Sequence, residues 1–513
     1  MNDRPESRPD YGPPEGVGVA EPGVPGDPDA GAGLRRSAVR GGAAVVGSRL
    51  AVQVLTVGVT FLVARILTPY DYALITCMSV FVNLADTLAA AGLVPALVQK
   101  PSLEEADLRE GFAMSLGLSL AFFGALYAAA PPLSAYFAYP EMTVVIRVCA
   151  LTLLLLPFRT IPAALLERRM QLGRHAAVFS ATALLQSAVT LGGALMGLGY
   201  WCLVVSFCVS RVFDTAVFAW LAGWRPRARL PGASSRGLAR FGLQVTGTAL
   251  LWQFYAQADY AVAAKVAGPV ALGYYALAFQ IVSLPTNRLV GSFGQAAYTV
   301  FCRLQDRPDQ VREWYLRLVG LTGAVALPVF VGMALVAGDG VAAVLGAKWG
   351  PAVSPIRLLC PAGYALLMMG TLQPVLNALG RADLPAKYNA VYALIMPAAF
   401  FLLGRRFGLT GICAAWAVGY PLVSAALVTV SRPVLGFGVR ELARTQYPAW
   451  VSAALMAAAV LGVQHALPGA GRGPVRLAAA VAAGVVVYPA AIWATARRTV
   501  VRDLGAMVRA FRG

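Results

Sequence analysis

The chain has 513 residues, 58% of them hydrophobic and 13% charged, with 42 Lys and Arg against 24 Asp and Glu and a formal net charge of +18. In a soluble protein that charge would suggest nucleic acid. Here it is spread over short loops between apolar stretches, where topology and anionic lipid headgroups account for it, so no nucleic-acid partner is expected. Seven scattered cysteines and two distant histidines, His175 and His465, give no metal-ligand spacing. No nucleophile elbow, phosphate loop or carboxylate pair supports an enzyme, and no cofactor is expected.

Residues 1–33 are dense in Pro, Gly, Asp and Glu and have almost no apolar periodicity. They cannot bury enough surface to offset chain entropy and are expected to be a disordered tail. No basic end followed by an apolar core marks them as a signal peptide. Fourteen apolar stretches follow, at about 43–66, 72–98, 112–137, 142–165, 176–197, 200–222, 238–264, 270–296, 314–338, 356–379, 388–404, 408–430, 446–466 and 475–496. Each approaches the ~20 residues that cross ~30 Å of hydrocarbon. With the N-terminus inside, cytoplasmic segments hold 27 basic residues and the opposite loops 9. The positive-inside rule demands such a split. The expected fold is an all-α polytopic membrane protein of about 14 helices, with both termini cytoplasmic.

Polar residues recur at helical spacing in four spans. In the first, Arg49, Gln53, Thr56 and Thr60 share one face; in the second, Thr76, Ser79, Asn83 and Asp86 do. In the seventh, Thr248, Trp252, Tyr255 and Asp259 align, with Gln253 and Gln257 on an adjacent stripe. In the eighth, Gln280, Ser283, Asn287, Gly291 and Gln295 align, with Arg288 beside them. Polar side chains in a span face a cavity or a partner helix. Arginine in a span is too expensive for ordinary packing, and guanidinium grips phosphate bidentately, so Arg49 and Arg288 are read as cavity residues, with an Arg49–Asp86 ion pair as the rival. Asp86 and Asp259 are candidates for coupling to a cation. Arg211 and Asp214, three apart, read as a local helix pair, and Arg159 lies between Pro157 and Pro162. Trp252 and Tyr255 can stack on sugar rings or simply pack. Tyr136, Tyr139, Trp201, Trp349 and Trp450 fall near span ends, where aromatic belts sit.

An internal echo lies at an offset of 200 residues: Ala64-Arg65-Ile66-Leu67-Thr68-Pro69 closes the first span and Ala264-Lys265-Val266-Ala267-Gly268-Pro269 the seventh. An even number of helices between them makes the halves parallel repeats. The domains expected are a tail (1–33), an N-lobe (34–222), a basic cytoplasmic linker (223–240), a C-lobe (241–430), and a helix pair with a basic tail (431–513).

Several segments together carry a resemblance. Gln257-Ala258-Asp259 followed by Gly268-Pro269-Val270-Ala271-Leu272-Gly273-Tyr274-Tyr275-Ala276-Leu277-Ala278-Phe279 resembles the seventh-to-eighth span junction of bacterial polysaccharide flippases. Those belong to the multidrug/oligosaccharidyl-lipid/polysaccharide exporter superfamily. Arg65 to Leu74, Gly92 to Lys100, Pro162 to Met170, Arg303-Leu304-Gln305-Asp306, Gly346-Ala347-Lys348-Trp349 and Ala378-Leu379-Gly380-Arg381 are similar to it as well. The likeness covers about residues 35–435 and is nearest the lipopolysaccharide and teichuronic-acid exporter branch. It departs at Ala73, Ala90 and Ala263-Ala264, and the apolar Ala90 stands where an acidic residue is common.

The resemblance implies a V-shaped pair of six-helix lobes that carries a polyprenyl-diphosphate-linked oligosaccharide across the cytoplasmic membrane by alternating access. It places Arg49 and Arg288 where arginines of related flippases grip the pyrophosphate. The cavity set is Arg49, Gln53, Asn83, Asp86, Trp252, Tyr255, Asp259, Gln280, Asn287 and Arg288. Expected partners are the lipid-linked oligosaccharide, membrane lipids, a coupling Na+ or H+, and polysaccharide-assembly proteins. A multidrug–cation antiporter of the same superfamily and a membrane-embedded glycan ligase or polymerase are the alternatives.

Overall fold

Turn chemistry sets the helix ends. Thr68 and Asp71 form a reciprocal cap: the Thr68 N–H donates to Asp71 Oδ2 at 2.8 Å, and the Asp71 N–H donates to Thr68 Oγ1 at 3.3 Å. Pro69 in the first turn needs no N–H partner. Farther on, Ala91 and Gly92 both take left-handed dihedrals (φ 47° and 61°) and end the helix. The computed structural model describes residues 52–100, 102–227, 232–467 and 473–512.

In chain order the helices are α1 (52–66), α2 (Pro69–Ala90), α3 (Leu93–Gln99), α4 (Glu105–Phe137), α5 (Met142–Ala150), α6 (Leu156–Arg168), α7 (Leu172–Leu195) and α8 (Trp201–Ala222). Then follow α9 (Ala233–Val266), α10 (Pro269–Leu304), α11 (Pro308–Gly340), α12 (Val353–Ala378), α13 (Asp383–Ala414), α14 (Tyr420–Leu435), α15 (Val439–Ala466) and α16 (Pro474–Arg512). Among the described residues ten helical segments are long and apolar enough to cross a membrane, and no strand occurs. The chain is an all-α multi-pass membrane protein. α9 and α10 have 34 and 36 residues, about 51 and 54 Å at 1.5 Å per residue.

The apolar run Asp383–Leu435 is one 53-residue segment with two passes in it. Gly408, at φ 60° and ψ −141°, breaks it. The chain doubles back so closely that a Cβ on Gly411 would lie 2.0 Å from the Leu403 carbonyl oxygen. Interior prolines such as Pro285, Pro328, Pro374 and Pro397 are accommodated in the long helices, as in membrane spans whose freed backbone groups find neighbours.

Residues from Thr56 onward pack as one unit. Within it, α4 packs on α2, α5 and α6, α6 packs on α3 and α8, and α7 on α8. In the second bundle, α10 packs on α12, α9 on α13, and α11 on α12. The hairpin α15–α16 packs on the outside of α11. The two bundles meet where α2 lies against α9 and α10, and where α3 and α4 lie against α9. One buried apolar cluster runs through both, from Val63 to Phe437.

Two belt expectations change here. Trp349 and Tyr139 are fully buried rather than facing lipid. Span-end depth is the same whether the neighbour is lipid or another helix, and these two meet helices. Trp349 stands edge-on between Tyr72 and Tyr274, at 5.5 and 5.9 Å.

Candidate functional site

α2 and α10 start side by side. The α10 backbone at Gly273 approaches the Pro69 carbonyl so closely that a Cβ there would lie 1.8 Å from the oxygen. Only glycine permits that approach. Around it, the turn before α12 reaches the end of α1. Trp349 Nε1 donates to the Ala64 carbonyl at 2.8 Å, and Lys348 Nζ donates to the Arg65 and Ile66 carbonyls at 2.7 and 3.1 Å. Lysine at a helix C-terminus satisfies orphan carbonyls and complements the dipole. Lys265, at the end of α9, does the same for α4: its Nζ donates to the Tyr136 carbonyl at 2.8 Å and sits 3.9 Å from that ring's centroid. These contacts close the Pro69 end of the interface.

The other end closes differently. A Cβ on Gly242 of α9 would lie 2.2 Å from the Ala91 carbonyl oxygen, and one on Gly92 would lie 2.7 Å from the Gly242 carbonyl oxygen. Nearby, the Gly232 N–H donates to Glu110 Oε2 at 3.0 Å.

Between the two closures run the polar faces of α2 and α10. On α2 the hydroxyls are satisfied within the helix, Thr76 donating to the Tyr72 carbonyl and Ser79 to the Thr76 carbonyl, each at 2.8 Å. Asn83 and Asp86 are half-buried. On α10, Gln280, Asn287 and Arg288 are exposed. Asp86 lies about 26 Å along α2 from Pro69 and Arg288 about 28 Å along α10 from Pro269, so both sit in the half nearer Gly92. Exposed amide and guanidinium groups in the middle of an apolar helix are costly against hydrocarbon.

Asp86 belongs to a network inside the first bundle. Arg211 Nη2 of α8 lies 3.3 Å from Asp86 Oδ2, both side chains being about a quarter exposed (21% and 26%). Arg211 therefore reaches across to α2, and Asp214 accepts a hydrogen bond from the Thr182 hydroxyl of α7. Arg159 of α6 feels the charges of Arg211, Asp214 and Asp86. Spacing along one helix pointed to an Arg211–Asp214 pair, because a partner on another helix leaves no mark in sequence periodicity.

Asp259 has another setting. It is fully buried and accepts from the Tyr275 hydroxyl at 2.5 Å, from Trp416 Nε1 at 3.2 Å and from the Tyr260 N–H at 2.8 Å. Its neighbours form an aromatic box in which Phe279 and Phe400 flank Trp416 at 5.3 and 5.5 Å. A carboxylate held by three N–H and O–H donors is satisfied within the second bundle, away from the open face of α10. Arg49 and the side chains of Trp252 and Tyr255 lie outside the described residues, and Gln53 stands near the head of α1 in the separate N-terminal unit. Of the candidate set, Asn83 and Asp86 lie on α2 and Gln280, Asn287 and Arg288 on α10, two helices that pack against each other. Sequence reading did not find the closures, which use a glycine at each close backbone approach and lysines that reach the helix ends of α1 and α4.

Comparisons with known proteins agree with this architecture. Residues 62–354 match the family described as polysaccharide biosynthesis protein. The lipopolysaccharide biosynthesis protein WzxC of Escherichia coli K12 is 22% identical over 392 residues, covering 74% of this chain and 77% of that protein. The teichuronic acid biosynthesis protein TuaB of Bacillus subtilis 168 is 22% identical over 418 residues, covering 79% and 84%. Among solved structures, the lipid II flippase MurJ in an inward closed conformation superposes with a TM-score of 0.70 over 88% of this chain and 98% of its own, at 11% identity, so the fold is shared. With more than half its length matched to the family, this multi-pass helical chain belongs to the polysaccharide biosynthesis protein family.

Proposed function

We propose that this protein is a flippase that carries a polyprenyl-diphosphate-linked oligosaccharide across the bacterial cytoplasmic membrane by alternating access, a transporter and not an enzyme. The carrying observation is the pair of facing polar helices, α2 and α10, bounded by one closure at each end. A glycan headgroup needs a hydrated, hydrogen-bonding path through hydrocarbon, and a diphosphate needs a cation along it. Asn83, Asp86, Gln280, Asn287 and Arg288 provide the first requirement and Arg288 the second, with Arg49 as its expected counterpart in the other half. The fold shared with a lipid II flippase and the family membership support this reading.

In this reading the lobes are residues 34–222 and 241–430, joined by the linker 223–240, with 431–513 as an added helix pair and tail. Adding α1, the two long helices α9 and α10, and the second pass within Asp383–Leu435 to the ten segments gives about fourteen spans. Both termini lie in the cytoplasm, which makes the Pro69 closure outer and the Gly92 closure inner. A coupling Na+ or H+ acting at Asp259 would have to displace, or protonate against, one of its three donors.

The test is the lipid-linked glycan pool of cells depleted of the protein, with its sidedness probed in sealed vesicles. A complete oligosaccharide unit should accumulate on the cytoplasmic leaflet. Arg49→Ala with Arg288→Ala should reproduce this, each lost charged hydrogen bond being worth about 1.5–3 kcal/mol, roughly 10- to 150-fold in transport. A normal pool with unchanged sidedness would overturn the proposal.

A further inference from the structure

A second site lies in the C-terminal half, away from α2. The helices α11, α12, α14 and α15 enclose an apolar groove of about 700 Å³, whose walls include Phe330, Tyr364, Met368, Val428, Leu442 and Trp450. Trp450 is 51% exposed, so the groove opens on the protein surface within the membrane zone. Along α14 its lining runs from Pro421 to Arg432, about 16 Å, close to the ~15 Å depth of one leaflet. Dispersion alone would fill it with any lipid chain, because hydrocarbon gives no hydrophobic preference between a groove and bulk bilayer.

One end is chemically specific. Arg432, in the last turn of α14, lines the groove, and its Nε is buried without a hydrogen-bond partner. Arg440 and Arg444, both exposed, follow just across the turn into α15, at the same end. The acid among them, Glu441, is taken by Arg312. At the far end Arg357 is already engaged, its Nε donating to the Ala334 carbonyl at 3.2 Å. A half-buried guanidinium with an unused donor beside an apolar slot, with excess positive charge around it, is complementary to a phosphate that carries a hydrocarbon chain. The elements lining the slot pack on one another and on α10, α13 and α16, and no described residue of α2, α9 or α10 lines it. A headgroup held at Arg432 thus lies outside the space between α2 and α10, which favours a resident lipid over the cargo.

We propose that this groove is a binding site for one anionic phospholipid of the bilayer, its chain along α14 and its phosphate on Arg432. The site is independent of what the α2–α10 space carries. The test is native mass spectrometry of the full chain, purified and exchanged into phosphatidylcholine nanodiscs with a minor fraction of phosphatidylglycerol. The expected result is one retained phosphatidylglycerol, with occupancy falling about fivefold or more in Arg432→Leu and largely kept in Arg432→Lys. Ala425→Phe, which fills the exposed mouth of the groove and leaves the arginine, should lose the lipid as well. Equal retention by the wild type and Arg432→Leu, or equal retention of phosphatidylcholine, would overturn the proposal. So would recovery of a polyprenyl diphosphate in place of the phospholipid, which would make the groove part of the cargo path.

Discussion

The two closures between the bundles do the same mechanical work with different chemistry. At the Pro69 end, side-chain donors from the second bundle cap helix ends of the first: Lys348 on α1, Trp349 on α1 and Lys265 on α4. At the Gly92 end, backbone lies directly on backbone, Gly242 against Ala91, and the Gly232 N–H donates to Glu110 Oε2. The first adds side-chain hydrogen bonds to a backbone contact of its own, Gly273 on Pro69. The second is a fit of surfaces, which tolerates no added volume. A transporter that alternates must open each in turn, and here both ends are closely packed while side-chain hydrogen bonds to helix ends are added at the Pro69 end.

The glycines offer the largest handle on this difference. Gly242→Ala puts a methyl into the Ala91 carbonyl, and Gly273→Ala puts one into that of Pro69. Overpacking of this kind costs about 1–3 kcal/mol, a shift of about 5- to 150-fold in a two-state equilibrium. The two variants should shift it in opposite directions. With Asn287→Cys as a reporter in a background lacking the native cysteines, Gly242→Ala should raise labelling from the cytoplasmic side and Gly273→Ala from the outer side. Labelling that moves the same way in both would mean that the contacts are static packing and not gates.

Next in size is the α1 cap. Trp349→Phe keeps the ring between Tyr72 and Tyr274 and removes the indole N–H, leaving the Ala64 carbonyl without this donor at a cost of about 1–3 kcal/mol. Lys348→Met removes two carbonyl contacts at the exposed rim and is worth about 1 kcal/mol. Both should favour outward opening in the same labelling assay, Trp349→Phe more strongly. The reverse order would place the latch at its rim instead of its buried centre.

How much of this the sequence could reveal follows from what leaves a one-dimensional trace. Spans of about 20 apolar residues do, and so does the break at Gly408, which the gap between the stretches 388–404 and 408–430 anticipates. The echo of Ala64–Pro69 in Ala264–Pro269 marked two span ends, and the structure puts the start of α10, at Gly273, against Pro69. Polar periodicity picks out a stripe on α2 and one on α10, two helices that pack together, because a helix face is visible at spacings of three and four. Partners on other helices are invisible to that pattern. Arg211 therefore reads with Asp214 and lies with Asp86, and Trp349 reads as a belt residue and is buried. A glycine at a close approach is indistinguishable in sequence from one in a flexible helix, so the Gly92–Gly242 contact could come only from coordinates.

Lys265 is the smallest of these effects and separates the two kinds of closure most directly. Its bond to the Tyr136 carbonyl is exposed, and its ammonium over the Tyr136 ring is a surface cation–π contact, together worth about 0.5–1 kcal/mol. Lys265→Met should therefore shift the equilibrium toward outward opening only about two- to fivefold, and Lys265→Arg should largely restore it. Exposed charges are screened within a Debye length of about 3 Å at 1 M salt. High salt should thus mimic Lys265→Met and add little to it. The Gly242 contact is carried by backbone packing, and Glu110, which accepts from the Gly232 N–H, is 4% exposed. Cytoplasmic-side labelling of Gly242→Ala should accordingly hold constant across the same salt range. A salt response at both ends would mean that the inner closure also depends on charge, through Glu110 and the head of α9.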